Sequence, residues 1–342
     1  MKKILFSIVT LLFPFLVFAY PAQHELFELN KSMIQLWVSY EKGVTGTGSG
    51  VVIKKNHVAT DCHVFQNATG VNVVKYHDTY SPIGVYADWE HDICVLKFDN
   101  LPLEPVDVRQ SESIQYEEEV FTLTFPNDNP VPLPSYGKVK ALYNFDKGSI
   151  IRTSATFTVG SSGGALFDND FNLIGITTFK SPGKRLGYFY CLPTEWIDKV
   201  MQTKMLTDIR SETAPFWALP DEQKPFFMQV VLPLQDSNWA EVKRIAKMWT
   251  QSEDDSTNAW FYLGLAEKEF NRDFAKLFLN KSISLNPRNL DALEVLYELS
   301  SEEGDDELVQ KYKSMIETVD PDYFVDYNSQ VQYWRARRDS NS

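Results

Sequence analysis

The apolar pattern changes period once along the 342 residues, near residue 205, and that change restricts the chain to two kinds of structure in series. Before it, short β-branched and aromatic runs stand between Gly, Pro, Asn and Asp. They are Ile34–Ser39, Gly50–Ile53, Val71–Tyr76, Ile93–Phe98, Val120–Thr124, Lys138–Leu142, Ile174–Thr178 and Tyr188–Leu192. Many short strands at near-regular spacing predict an all-β sandwich or barrel. Residues 194–205 follow a Pro and predict a closing helix. After residue 236 the pattern is helical and recurs 34 residues on: Tyr262 falls on Leu296, Leu265 on Leu299, Phe274 on Leu308, Phe278 on Tyr312, Leu285 on Val319 and Pro287 on Pro321. Recurrence at that period predicts stacked helical repeats, none of which buries its apolar face alone.

Residues 206–235 lie between the two patterns and hold Pro215, Pro220, Pro225 and Pro233 among Phe216, Trp217, Phe226 and Phe227. The prolines predict a linker; the aromatics predict that it packs on something. A short helix is expected after Pro220, where Asp221 and Glu222 suit a helix N-terminus. At the other end, Lys2 and Lys3 precede an apolar run, Ile4 to Phe18, and Val17-Phe18-Ala19 places small residues at the third and first positions of a cleavage site. This predicts a bacterial-type secretory signal cut near Ala19, and a periplasmic or extracellular destination. An uncleaved anchor is the alternative, but the run is short for a span of about 20 residues and Pro14 interrupts it. The expected organisation is a signal peptide (1–19), a β-rich domain (20–205), the Pro/aromatic linker (206–235), helical repeats (236–330) and a tail (331–342).

Charge narrows the partners. The chain has 33 Lys+Arg against 46 Asp+Glu, a net charge of -13, and no Lys/Arg run. Nucleic acid and anionic membrane surfaces are therefore not expected as partners. From residue 211 onward 24 acids face 14 bases, so the helical part carries -10. Three cysteines are too few for a disulfide scaffold.

All five histidines (His24, His57, His63, His77, His91) lie in the first 91 residues. One of them closes Val58-Ala59-Thr60-Asp61-Cys62-His63, a β-branched run ending in Thr, then two residues, then His. Upstream is the glycine-rich Gly46-Thr47-Gly48-Ser49-Gly50-Val51-Val52-Ile53. Downstream come His91-Asp92-Ile93-Cys94-Val95-Leu96, then Val159-Gly160-Ser161-Ser162-Gly163-Gly164-Ala165-Leu166, then Leu173-Ile174-Gly175-Ile176-Thr177 and Cys191-Leu192-Pro193. Together, in this order, these stretches resemble the trypsin-like serine proteases of the chymotrypsin clan, most closely the Deg/HtrA branch, over roughly residues 35–205.

The resemblance implies an all-β double barrel and the hydrolysis of peptide bonds in protein or peptide substrates, with no cofactor and no metal. It implies Ser162 as nucleophile, His63 as general base and Asp92 as its orienting acid, with the N–H groups of Gly160 and Ser162 forming the oxyanion hole. The residue types suit that chemistry. A serine hydroxyl is a poor nucleophile until a neutral imidazole takes its proton, and the carboxylate fixes the tautomer and stabilises the imidazolium. An intrinsic histidine pKa near 6.5 predicts activity rising through about pH 6.5–7. Competing residues are set aside. His57 comes too early in its strand, His91 is expected on the opposite strand face, Asp61 and Asp88 are alternative acids, and Ser161 lacks the following Gly-Gly.

Specificity is only faintly written. Thr156, six residues before Ser162, stands where Arg/Lys-selective enzymes carry Asp, so that selectivity is not expected. Lys180 and Phe189 stand where open pockets have small residues, which predicts a shallow pocket for small or β-branched side chains. In the plainer alternative Phe189 points into the barrel core. Two departures from the family stand out. Ser161 replaces the Asp that pairs with a new N-terminus in cleavage-activated trypsins, so zymogen cleavage is not expected. Helical repeats follow the barrel where Deg proteases usually carry PDZ domains. Cys62 adjoins His63 and Cys94 lies two past Asp92. An oxidising compartment permits a bridge, yet strand alternation puts Cys94 on the face of Asp92, and three buried thiols (Cys62, Cys94, Cys191) are expected.

In the helical part, Trp260, Leu263, Gly264 and Ser284-Leu285-Asn286-Pro287 resemble tetratricopeptide repeats over roughly 257–322, with a weaker unit around Trp239–Trp249. That resemblance implies a concave face on residues 236–330 that binds a protein, and the acidic balance favours a segment carrying Lys/Arg. A purely stabilising role is the alternative. The combined expectation is a multidomain secreted serine endopeptidase, an all-β chymotrypsin-like double barrel followed by an all-α tetratricopeptide-like domain. The other reading is a catalytically idle, chaperone-like binding protein on the same fold.

Overall fold

The computed structural model describes residues 21–76, 78–181 and 187–325. The expected signal peptide, the tail and His77 lie outside the described residues. A short helix, α1 (Gln23–Asn30), leads into β1 (Met33–Ser39), β2 (Thr45–Lys54), β3 (His57–Asp61), β4 (Gly70–Lys75), β5 (Asp78–Tyr80), β6 (Gly84–Asp88) and β7 (Ile93–Lys97). These form one antiparallel sheet in the order β5-β4-β1-β2-β3-β7-β6. Its inward side chains, among them Ile34, Leu36, Val52, Val58, Val73, Leu96 and Phe98, are fully buried. The sheet curls without closing, so the first of the two expected barrels is a half-barrel. Its β6 edge is covered by chain from beyond the second barrel: Val85 and Leu206 exchange N–H···O bonds of 2.8 and 2.7 Å, which removes an exposed pairing edge.

The second sheet consists of β8 (Glu119–Thr124), β9 (Leu133–Phe145), β10 (Gly148–Thr153), β11 (Gly164–Asp168), β12 (Leu173–Lys180) and β13 (Phe189–Pro193). It closes as β10-β13-β12-β11-β8-β9 because the 13-residue β9 is long enough to pair with both β8 and β10. Phe121, Phe167, Ile176, Tyr190 and Leu192 fill its core. The closing helix is shorter than expected, α2 (Glu195–Val200), since the chain must leave it to reach Val85. The helix expected after Pro220 is only a turn over Asp221–Gln223. Pro225 forces Lys224 into an extended conformation (ψ 156°), as prolines do to the residue before them. Helix resumes as α3 (Phe226–Gln229) and α4 (Val231–Gln235).

The helical part holds α5 (Trp239–Ser252), α6 (Thr257–Glu267), α7 (Arg272–Leu285), α8 (Leu290–Glu303) and α9 (Asp306–Val319). Each begins on a capping side chain, Asn238, Ser256, Asn271, Asn289 or Asp305, that accepts an otherwise unpaired backbone N–H. The caps Asn271 and Asp305 are 34 residues apart, so the sequence period is a period of helix starts. No helix among the described residues is long and apolar enough to cross a membrane.

The module is joined to the closed barrel by one continuous core. Tyr143 of β9 stacks on Phe227 with ring centroids 4.4 Å apart, and Trp249 and Tyr262 continue the layer. Polar groups fix the register. Asn258 donates to the Leu142 carbonyl at 2.9 Å, Arg288 to the Tyr116 carbonyl at 2.7 Å, and the buried Arg152 pairs with Asp291 at 2.5 Å.

Candidate active site

β3 runs out at Asp61 into one helical turn, Cys62–Val64, which carries His63. β7 pairs antiparallel with β3, Thr60 opposite Cys94 and Asp61 opposite Ile93, so the residue entering β7 lies beside the residue leaving β3. That residue, Asp92, has φ +62°, a conformation few non-glycine residues adopt and one found at functional sites. The His63 Nδ1–H donates to Asp92 Oδ2 at 2.7 Å and the His63 backbone N–H donates to Asp92 Oδ1 at 2.8 Å. The histidine is thereby held by ring and backbone together, while its side chain stays 28% exposed, open to a substrate.

Cys62 and Cys94 form a disulfide, which corrects the expectation of three thiols; Cys191 alone is free and buried. Strand alternation misleads here because Asp92 lies before β7, in a left-handed turn, and the alternation does not extend to it. The bridge joins the neighbour of His63 to the strand that follows Asp92.

Ser162 lies on the turn between Val159 and β11, at the seam where β2 and β3 meet β11 and β12. Gly160 and Gly163 have φ +87° and +83°. A Cβ at Gly160 would meet the Phe125 carbonyl at 2.6 Å, and one at Gly163 would collide with Thr60 and Ser49, so both positions require glycine. The turn is tied down on every side. Ser49 N–H donates to the Ser162 carbonyl at 2.8 Å, Ser49 Oγ to the Gly160 carbonyl at 2.8 Å, and Thr177 Oγ1 to the Ser161 carbonyl at 2.7 Å. Ser161 is fully buried, its Oγ bonded to Thr124 Oγ1 at 2.9 Å, which makes it a structural residue. The Ser162 hydroxyl donates to the Thr178 carbonyl at 3.3 Å.

The remaining candidates fall elsewhere. His57 donates to the Lys55 carbonyl, and His91 is clamped between Asp88 and Asp146 at 2.8 Å each, against Trp196. Asp61, set aside from sequence, does lie at the site. It is fully buried, its Oδ2 is 4.0 Å from His63 Nδ1 and unpartnered, and Thr178 Oγ1 donates to its Oδ1 at 2.9 Å. Burial and the facing Asp92 push its carboxyl well above the ordinary range. Burial works against charge on His63, but Asp92, its hydrogen bond and Asp61 outweigh it and lift the imidazole to about 9. The expectation of a base near 6.5–7 is thus too low, because neither buried carboxylate entered it. Asp61, His63 and Asp92 have polar atoms within 4.8 Å of one another, spacing that could also clasp a cation. His63 Nδ1 and Asp92 Oδ2 already share a proton, an arrangement suited to proton transfer.

Trp217 is the residue missed outright. From the linker, its Nε1–H donates to Asp92 Oδ2 at 2.9 Å, and its ring meets His63 edge-on at 5.3 Å. The sequence signalled only that the linker aromatics pack. Of the pocket candidates, Lys180 lies 5.4 Å over the Phe189 ring and Phe189 packs on Phe157 at 5.0 Å. Thr156 is exposed and bonded to Ser135.

Residues 48–176 match the family model of the trypsin-like peptidase domain, a span from the glycine-rich part of β2 into β12 that takes in His63, Asp92 and Ser162. Among curated proteins, the periplasmic serine endoprotease DegP of Escherichia coli K12 is 28% identical over 224 residues, covering 57% of this chain and 46% of DegP. The chloroplastic Protease Do-like 1 of Arabidopsis thaliana is 27% identical over 170 residues, covering 46% of this chain and 38% of that protein. Among solved structures, the HtrA-type protease AlgW with tripeptide aligns at TM-score 0.45 and 26% identity, over 52% of this chain and 61% of that one. The serine endoprotease from Yersinia pestis aligns at TM-score 0.47 and 22% identity, over 54% and 67%. Residues 48–176 thus carry a trypsin-like peptidase domain, and the chain is similar to proteases of the Deg/HtrA type. It spans less than half the length of the curated relatives it matches.

Proposed function

We propose that this protein is a serine endopeptidase acting on protein substrates outside the cytoplasm, and that the peptide bond is cut at Ser162. The observation that carries the reading is the doubly bonded His63–Asp92 pair beside a glycine turn bearing Ser162. His63 takes the hydroxyl proton as Ser162 attacks the carbonyl, then returns it to the leaving amine; Asp92 holds the tautomer that makes this possible. Among the described residues the N–H groups of Gly160 and Ser162 make no backbone hydrogen bond, which leaves them free for the oxyanion. Losing one such donor costs on the order of 3 kcal/mol. Phe157 against Phe189 and Lys180 over its ring put bulk at the positions read from the sequence as the pocket, which supports a preference for small P1 residues. The expected N-terminal signal and the periplasmic DegP relative support that destination. The helix pairs offset by 34 residues support a tetratricopeptide-like module whose acidic surface takes a Lys/Arg-bearing protein segment.

One observation favours the second reading, an idle protease-like binding protein: the Ser162 hydroxyl is bonded to the Thr178 carbonyl. Covalent labelling by a fluorophosphonate separates the two. Label on Ser162, absent in Ser162→Ala, supports the peptidase; an unlabelled wild-type protein supports the binding protein.

A further inference from the structure

Trp217 lies in the linker, 125 positions from Asp92 in sequence, yet its indole shares the carboxylate oxygen that orients the base. Asp92 Oδ2 receives two donors, His63 Nδ1 at 2.7 Å and Trp217 Nε1 at 2.9 Å, while Oδ1 receives the His63 N–H. Among the described residues His63 Nδ1 and Trp217 Nε1 are the only donors to Asp92 Oδ2, and the nearby hydroxyl, Thr178 Oγ1, is turned to Asp61. The ring also stacks on Phe179, centroids 5.7 Å apart, and stands edge-on to His63, so it screens the His63–Asp92 bond from water.

The linker is held in this position from both sides. Phe216, the preceding residue, is buried against Phe145, Phe179 and Trp196, and its N–H donates to the Glu90 carbonyl at 2.9 Å, two residues before Asp92. Further on, Phe226 stacks on Trp249 of α5 and Phe227 on Tyr143 of β9. The module anchors the linker, and the linker reaches the reacting groups.

We infer that Trp217 is a positioning residue for the hydrolytic reaction, completing the orientation of Asp92 and His63 from outside the barrel, so that the site is fully formed only when the linker and helical module are docked. The inference rests on the peptidase reading for its kinetic consequence, but not for its structural one. A neutral donor on Asp92 Oδ2 competes with the imidazolium for that oxygen. Removing it strengthens the pull of Asp92 on the His63 proton and leaves the carboxylate freer to turn. Among the described residues the charged groups acting on His63 are Asp92 and Asp61.

The test uses the full chain with Trp217→Phe, which keeps the ring and removes the N–H, read by NMR titration of the His63 imidazole and by cleavage of a short peptide. The His63 midpoint should move to higher pH, and kcat should fall about tenfold with KM nearly unchanged, the scale of one hydrogen bond to a charged group. Thermal unfolding should stay close to wild type because the packing is kept. An unchanged His63 midpoint with unchanged kcat would overturn the inference, as would a fall in activity that only tracks loss of folded protein. The protease reading fails separately, if wild-type protein takes up no fluorophosphonate, and the His63 titration in Trp217→Phe still decides the role of the indole.

Discussion

His63 carries the pH dependence of the account, and its sign follows from its neighbours. The base must be neutral to accept a proton from Ser162. With burial overcome by Asp92 and Asp61, the imidazole holds its proton up to about 9. Peptide cleavage should therefore climb through the alkaline side of neutrality rather than levelling off by pH 7, and a kcat/KM profile from pH 5 to 10 checks it. A plateau reached by pH 7 would show that the two carboxylates do not act on His63 as described. The same shift affects stability in the opposite direction. A raised folded-state pKa contributes stability that is fully present below about 6.5 and lost as pH rises toward about 9. At this scale the sequence singled out His63 and Asp92, which two hydrogen bonds join, and Ser162, whose hydroxyl is bonded to the Thr178 carbonyl, because each sits in a motif with its own flanks. It did not reveal the Cys62–Cys94 bridge, because the left-handed Asp92 breaks the strand alternation, and it offered Asp61 only as an alternative acid.

The turn between Val159 and Gly164 is the element on which the proposed chemistry depends. Gly163, at φ +83°, backs onto Ser49 of β2 and Thr60 of β3, the strand that leads into His63. Gly163→Ala has no room to relax, since strand backbone stands behind it. It should lower peptide cleavage by about 10²-fold or more, the scale of a lost oxyanion donor, and depress the melting temperature. Kinetics and calorimetry on the same preparation check both; wild-type cleavage by this variant would contradict the packing described. Strands rich in β-branched residues, β1, β4, β7, β8 and β12, were legible in the sequence to within a few residues. β11 was not, because Gly164–Asp168 holds no β-branched residue and reads as the tail of a motif. The linker was legible as a packed segment, but its target was not, since contacts between distant residues leave no local pattern.

Across the whole molecule the helical module is part of the barrel's frame. Removing everything after Lys204 would strip the Leu206 pairing from β6, the aromatic layer from Tyr143 and Tyr190, Asp291 from Arg152, and Trp217 from Asp92. A buried Arg deprived of its partner is costly, typically about 3–5 kcal/mol. The truncated protein should be poorly soluble or melt far below the full chain, and lose cleavage of peptide and protein substrates alike. A stable barrel that still cuts short peptides while failing on proteins would instead assign the module to substrate recruitment alone. Fluorophosphonate labelling of the full chain, followed by peptide mapping by mass spectrometry, decides whether Ser162 is the nucleophile. One adduct is expected, on Ser162, formed faster as pH rises and abolished in His63→Ala. An adduct on Ser161, or labelling indifferent to His63, would contradict it.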